Sequence, residues 1–134
     1  MAESIKTAVN AYYAEYSAYP TNVSFIKTDS QFYSALCTTT NTNGGNTRGI
    51  LFLEVPSKFT LTNGTSPEIV VPSGFCRNGA RSNFFVMFDQ ANQGYLVPNT
   101  NAGSTSLTNK MVASSVAVWV VDPYDDKKAV GTFK

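Results

Sequence analysis

The sequence contains no histidine and few charged residues. Without histidine there is no imidazole base for a hydrolytic triad, and the commonest transition-metal ligand of proteins is missing. Charged residues make up 14% of the chain and the net charge is +1, whereas about a quarter of an average protein is charged. Lys58, Lys127 and Lys128 do not form the basic cluster that a nucleic-acid partner would require. No paired acid and base and no phosphate-binding loop can be recognised, so we expect neither a nucleic-acid partner nor an enzyme.

Only two cysteines are present, Cys37 and Cys76. They are too far apart for a CxxC redox or zinc motif, and an even count in an exported protein favours a disulfide. A bridge between them would close a loop of about 40 residues and stabilise the fold by roughly 3–4 kcal/mol. The alternative is a pair of buried free thiols.

The sequence also lacks an apolar run of the roughly 18 residues that a membrane-spanning helix needs. Its polar residues are largely Ser, Thr and Asn, a composition that favours a location outside the cytoplasm. A helical pattern begins directly after Met1. We therefore expect the natural protein to continue upstream of this sequence.

An amphipathic helix is predicted over residues 2–18. Apolar residues recur at the i, i+3, i+4 spacing of one helical face, at Ile5, Ala8, Val9, Tyr12, Tyr13 and Tyr16. Tyr19 and Pro20 are expected to end the helix, because a residue before proline is disfavoured in the helical region. Since only one stripe is apolar, the helix should pack against a sheet, with the phenol tips of its tyrosines toward water.

The rest of the chain predicts a second, shorter helix followed by strands. The helix is expected over residues 28–37, with Thr28, Asp29 and Ser30 as candidate N-caps, and an exposed loop should follow at residues 38–48. A β-rich region is predicted over residues 49–121, with a short tail after it. Its expected strands are residues 49–55, 59–61, 68–71 and 115–121, and a hairpin of residues 83–88 with 94–97. The fold class is therefore α+β in a single domain, 1–134, with a long N-terminal amphipathic helix on a small antiparallel β-sheet.

Several segments resemble the type IV pilins and pseudopilins. The run IKTAVNAYYAEYSAYP at residues 5–20 is similar to the second half of that family's long N-terminal helix, which commonly ends in Tyr-Pro. NTRGILFLEVP at residues 46–56 resembles the N-x-R-G-x-x-F-L-E-V-P stretch of the G-type pseudopilins of type II secretion systems. Residues 31–36, 83–95 and 116–119 are similar to further segments in the same order. The Asp-Pro-Trp-Gly motif of many G-type pseudopilins is replaced by FCRNGARS at residues 75–82.

The resemblance implies a pilin-like fold and a structural function. The protein is then expected to be a pseudopilin or pilin, a filament subunit of a type II secretion or type IV pilus system. Its partners would be further copies of itself and other pilin-like subunits. An upstream apolar helix, methylated after leader removal, would anchor it in the inner membrane, with this domain in the periplasm or in a cell-surface filament. The alternatives are a minor pilin or adhesin that binds a ligand at a filament tip through loops 38–48 and 98–110, and an unrelated exported α+β domain.

Calcium is the only cofactor that the sequence suggests. Many G-type pseudopilins bind it in a C-terminal loop, and Asp122, Asp125 and Asp126 lie near the corresponding place. Calcium needs six to eight oxygen ligands, to which these carboxylates would contribute. The alternative is a plain turn at Pro123 with solvated aspartates. A second candidate is the turn containing Asp89, Asn92 and Gly94, although it lacks the bidentate Glu of an EF-hand loop.

Overall fold

The computed structural model describes residues 1–21, 25–39, 46–63, 66–72, 83–96, 112–122 and 125–132. The chain begins with helix α1 (Ala2–Tyr16), a short strand β1 (Phe25–Lys27) and helix α2 (Ser30–Cys37). A 3-10 turn (Ser57–Phe59) leads into strands β2 (Thr60–Asn63) and β3 (Ser66–Ile69). Strands β4 (Phe85–Phe88), β5 (Val116–Asp122) and β6 (Asp125–Gly131) follow. The class is α+β, with an N-terminal helix and a small antiparallel sheet, as the periodicity predicts.

The main sheet has four antiparallel strands in the order β1-β4-β5-β6, and β2 and β3 form a separate hairpin. In β4 and β5, successive side chains point to opposite faces of the sheet. Val86 pairs with Val118 on one face, and Phe85 pairs with Trp119 on the other. Both faces are therefore apolar where these two central strands meet.

Helix α1 packs on the first of these faces. Its residues Ile5, Ala8, Val9 and Tyr12 share one buried cluster with Val86, Phe88, Val116 and Val118 of the sheet. Ile5 and Val9 are fully buried, and burying an aliphatic side chain contributes about 1.5–3 kcal/mol. The prediction that one apolar stripe of this helix lies on a sheet is confirmed.

A second, smaller cluster occupies the opposite face of the sheet. Trp119 and Ala117 are fully buried there beside Leu96. The ring of Phe85 stacks between Phe25 and Trp119, with centroids 5.7 and 6.0 Å away. The stack crosses three adjacent strands, so it couples the short strand β1 to the centre of the sheet.

Helix α1 ends at Tyr16, two residues before the predicted end at residue 18. Ser17 adopts the left-handed conformation with φ 55°, and its N–H donates to the Tyr13 carbonyl at 2.8 Å. This is an αL helix end, which stops the helix before the predicted Tyr19-Pro20 boundary. The chain then turns back, and the Tyr19 ring lies on Phe88 at 5.0 Å.

Helix α2 begins at Ser30, and Asp29 is its N-cap, accepting a hydrogen bond from the Phe32 N–H at 3.1 Å. Thr28, the first residue of the predicted helix 28–37, lies outside the observed helix and is fully buried. Its hydroxyl donates to the Ile69 carbonyl at 2.7 Å and accepts from the Phe84 N–H at 3.0 Å. Thr28 thus joins the β2–β3 hairpin to the main sheet, a tertiary role that the helix pattern did not predict.

Three predicted β features were wrong in detail. Residues 49–55 form no strand; instead the N–H groups of Phe52 and Leu53 both donate to the Leu36 carbonyl at the end of α2. The described residues 94–96 do not form the predicted hairpin with 83–88, because β4 pairs with β1 and β5, whereas Leu96 bridges to Val112. Within the tail predicted after residue 121, residues 125–131 form the seven-residue strand β6. The β structure therefore extends beyond 49–121 at both ends, with β1 before it and β6 after it. The extended segments predicted at residues 59–61 and 68–71 overlap β2 and β3, which pair with each other.

Candidate functional site

A cluster of side-chain hydrogen bonds joins the end of α1 to residues 46–50. Asn46 is fully buried, although it falls in the segment predicted to be an exposed loop. Its side-chain nitrogen donates to the carbonyls of Thr38 at 3.1 Å and Ile50 at 2.6 Å. Its side-chain oxygen accepts from the Ile50 N–H at 3.1 Å and from the Tyr16 hydroxyl at 2.6 Å. One amide thereby connects helix α1, the residue after helix α2 and the segment that follows.

Arg48 makes further contacts between this segment and helix α1. Its backbone N–H donates to the Tyr16 hydroxyl oxygen at 3.0 Å, and its guanidinium lies 5.8 Å from the Tyr16 ring centre. The guanidinium also forms an ion pair with Glu15 on the helix. Both charged side chains are substantially exposed, so water screens the pair and its contribution to stability is small.

Gly49 completes the turn. Its φ is +61°, a left-handed conformation that glycine adopts at no steric cost, and its N–H donates to the Asn46 carbonyl at 3.1 Å. The N-x-R-G part of the resembling motif is thus a tight turn held against the helix. Asn46 supplies the buried amide, Arg48 the helix contact and Gly49 the backbone freedom.

The arrangement holds two helices and a connecting segment in one geometry. Burial raises the pKa of Tyr12, and the neighbouring Tyr16 raises it further. A raised tyrosine pKa keeps the phenol neutral at ordinary pH. Tyr12 packs in the buried cluster beneath α1. The Tyr16 hydroxyl donates to the Asn46 side chain rather than pointing only to water.

The backbone brings two of the three predicted calcium ligands close together. Asp122 and Asp125 face each other across the β5–β6 pairing, beside an irregularity in register between Val121 and Asp122. The side chains of these residues and of Asp126 lie outside what the structure describes. Within the described part of the chain no group of three acidic, histidine or cysteine residues is placed to hold a metal. Calcium binding by the three aspartates remains a prediction.

In the second candidate calcium turn, the carboxylate of Asp89 accepts hydrogen bonds from the backbone of the turn itself. Asp89 is buried, with 4% of its surface exposed. One carboxylate oxygen accepts from the Gln93 N–H at 3.0 Å and the other from the Gly94 N–H at 2.8 Å. Asn92 and Gly94 adopt positive φ angles of 54° and 85°. The carboxylate therefore shapes this turn, because both of its oxygens accept backbone hydrogen bonds.

Cys37 is the last residue of α2, and its side chain is partly buried. Burial raises the pKa of this thiol to about 12. Cys76 lies outside the described residues, so the predicted disulfide between the two remains a prediction.

Sequence reasoning missed the roles of Asn46 and Asp89. The signal that could have found Asn46 is a lone Asn-x-Arg-Gly turn between a polar stretch and an apolar segment. Asp89 precedes a positive-φ turn of Asn and Gly, the composition in which an aspartate commonly accepts from nearby backbone N–H groups.

Comparison of the chain with protein-family models, with curated proteins and with solved structures finds no match. Among the helices of the described residues, none has the length and apolarity required to cross a membrane.

Proposed function

We propose that this protein is a structural filament subunit, a pseudopilin or pilin of a type II secretion or type IV pilus system. The observation that carries the proposal is the packing of α1, whose single apolar stripe lies on an antiparallel sheet. Residues 46–50, in the segment that resembles the pseudopilin motif, are hydrogen-bonded to the end of the same helix.

The exposed side of α1 also supports a filament role. Glu3, Ser4, Thr7, Asn10 and Ala11 are exposed, so the helix is covered by its own sheet on one side only. A subunit that assembles with helical symmetry needs two different surfaces that fit one another. A helix with one covered and one open side provides a surface for such a contact.

The proposal includes a location and partners. The subunit would be anchored in the inner membrane by an apolar helix upstream of Met1, with the described domain in the periplasm or in a filament at the cell surface. Its partners would be copies of itself and other pilin-like subunits. Its pilin-like fold and its part in protein transport belong to the same proposal.

Production of the full-length gene product tests this function. In cells that contain a prepilin peptidase, we expect cleavage of a leader and recovery of the chain in sheared filaments, labelled by antibodies against this domain. Matched cells without the peptidase should retain the uncleaved chain in the inner membrane. Recovery of an uncleaved chain in the cytosol of both strains would refute the proposal.

A further inference from the structure

An open groove of about 370 Å³ runs between α1 and the segment that follows α2. Its base is apolar and includes Ala8 and Leu53, which are 2% and 8% exposed. Its rim is polar and exposed, and it carries the carboxyl groups of Glu3 and Glu54. The groove therefore combines a narrow apolar base with two acidic groups.

Neither Glu3 nor Glu54 forms an ion pair within the described part of the chain. Arg48 and Glu15 form an ion pair with each other, and neither of them lines the groove. No lysine or arginine is among the residues that line it. The two exposed carboxylates are thus accessible to a cation from outside the chain.

The hydroxyl groups at the rim are also suited to a hydrogen-bond donor. Thr7 uses its hydroxyl hydrogen to donate to the Glu3 carbonyl at 2.9 Å, which leaves lone pairs on the oxygen to accept. Ser4 lines the same side of the groove. A complementary group carries positive charge, donates several hydrogen bonds and has an aliphatic stem that can lie on the apolar base.

We propose that this groove binds an arginine or lysine side chain presented by a partner protein. Both side chains have an apolar stem and a cationic head, and both donate charge-assisted hydrogen bonds to carboxylates. The stem would lie on Ala8 and Leu53, and the head would lie between Glu3 and Glu54. Binding of such a side chain does not require the proposed filament function, since it depends only on the groove and its two carboxylates.

Titration of the ¹⁵N-labelled protein with N-acetyl-L-arginine amide, followed by NMR, tests this binding. We expect saturable shifts confined to the amides of residues 3–11 and 52–54. N-acetyl-L-norleucine amide, which has an aliphatic stem without the charge, should give no saturable shifts there. Equal shifts with the norleucine compound, or shifts spread over the whole surface, would overturn the proposal.

Charge-removing variants provide the second half of the test. In the Glu3→Gln/Glu54→Gln double variant, affinity for the arginine compound should fall by about fivefold, which is the size expected for two exposed charge contacts. The matched control is Glu68→Gln, which removes a carboxylate from β3, away from the groove, and should leave the affinity unchanged. Both groove residues are exposed, so the dispersed spectrum of a folded protein should persist. Unaltered affinity in the double variant would refute the proposal.

Discussion

Replacement of Asn46 by alanine removes four hydrogen bonds from a fully buried position. Each neutral hydrogen bond contributes about 0.5–1.5 kcal/mol net, and a buried partner left without a bond adds its own desolvation penalty. The carbonyls of Thr38 and Ile50 and the N–H of Ile50 are the backbone groups that lose their partner. We therefore expect Asn46→Ala to lower the free energy of unfolding by about 3 kcal/mol, a large fraction of the 5–15 kcal/mol typical of a domain.

For a chain of 134 residues, this loss corresponds to a fall in Tm of about 10 °C. Urea unfolding followed by circular dichroism measures the free energy, and a thermal scan measures the Tm. Thr47→Ala is the matched control, because Thr47 is an exposed neighbour and should change stability by less than about 0.5 kcal/mol.

A double-mutant cycle separates the hydrogen bond of Asn46 to Tyr16 on α1 from its hydrogen bonds to Thr38 and Ile50. Tyr16→Phe removes only the hydroxyl, which bonds Asn46 and the Arg48 N–H, and should cost about 1 kcal/mol. The Asn46→Ala/Tyr16→Phe double variant should show a coupling free energy of about 1 kcal/mol between the two sites. A loss below about 1 kcal/mol for Asn46→Ala, or additive effects in the cycle, would show that the buried amide does not join the helix to the segment.

Further predictions concern three other positions in the described chain. A Cβ added at Gly131 would overlap the backbone carbonyl oxygen of Val118, so Gly131→Ala should lower the free energy of unfolding in urea by about 2 kcal/mol or more. Asp89→Ala removes both acceptors of the turn ending at Gly94 and should cost about 2–3 kcal/mol in the same assay; stability equal to wild type would contradict the assigned role. Burial raises the pKa of the Cys37 thiol from 9.0 to about 12. The free energy of unfolding of the reduced protein should therefore fall as the pH rises from 9.0 toward about 12, because the thiol of the unfolded chain releases its proton at the lower pH. At pH 8 iodoacetamide should alkylate folded Cys37 at least a hundredfold more slowly than in urea, since only the thiolate reacts; peptide mapping measures the rate, and equal rates would show that the thiol is not protected.

Local patterns in the sequence were sufficient to predict the helices and the most apolar strand. The 3.6-residue spacing of apolar residues defines α1, and its single stripe indicates the buried face, because both properties depend on neighbours within two turns. Asp29 is an N-cap for the same local reason, since its side chain bonds an N–H three residues away. The run of Val and Trp at residues 116–121 predicts β5.

The partners of each strand could not be read from local patterns. Residues 49–55 are as apolar as a strand, yet Phe52 and Leu53 bond to the Leu36 carbonyl, because the end of a helix leaves carbonyls that need donors. In the same way β4 pairs with β1 and β5 rather than with the segment next to it in sequence. Its side chains contribute to apolar clusters on both faces, and only distant parts of the chain complete those clusters.

The sequence by itself thus determined the α+β class, the buried face of the first helix, the capped second helix and the extended segments near residues 59–61 and 68–71. These features arise from interactions between residues close together in the chain. Only the tertiary structure decided that Asn46 is buried, that residues 125–131 form a strand and that Glu3 and Glu54 line one groove. Asn46 is buried because backbone groups from several elements converge on its side chain. The charged edge strand β6 forms because its neighbour β5 supplies the hydrogen bonds. The groove exists only because α1 packs against residues 52–54.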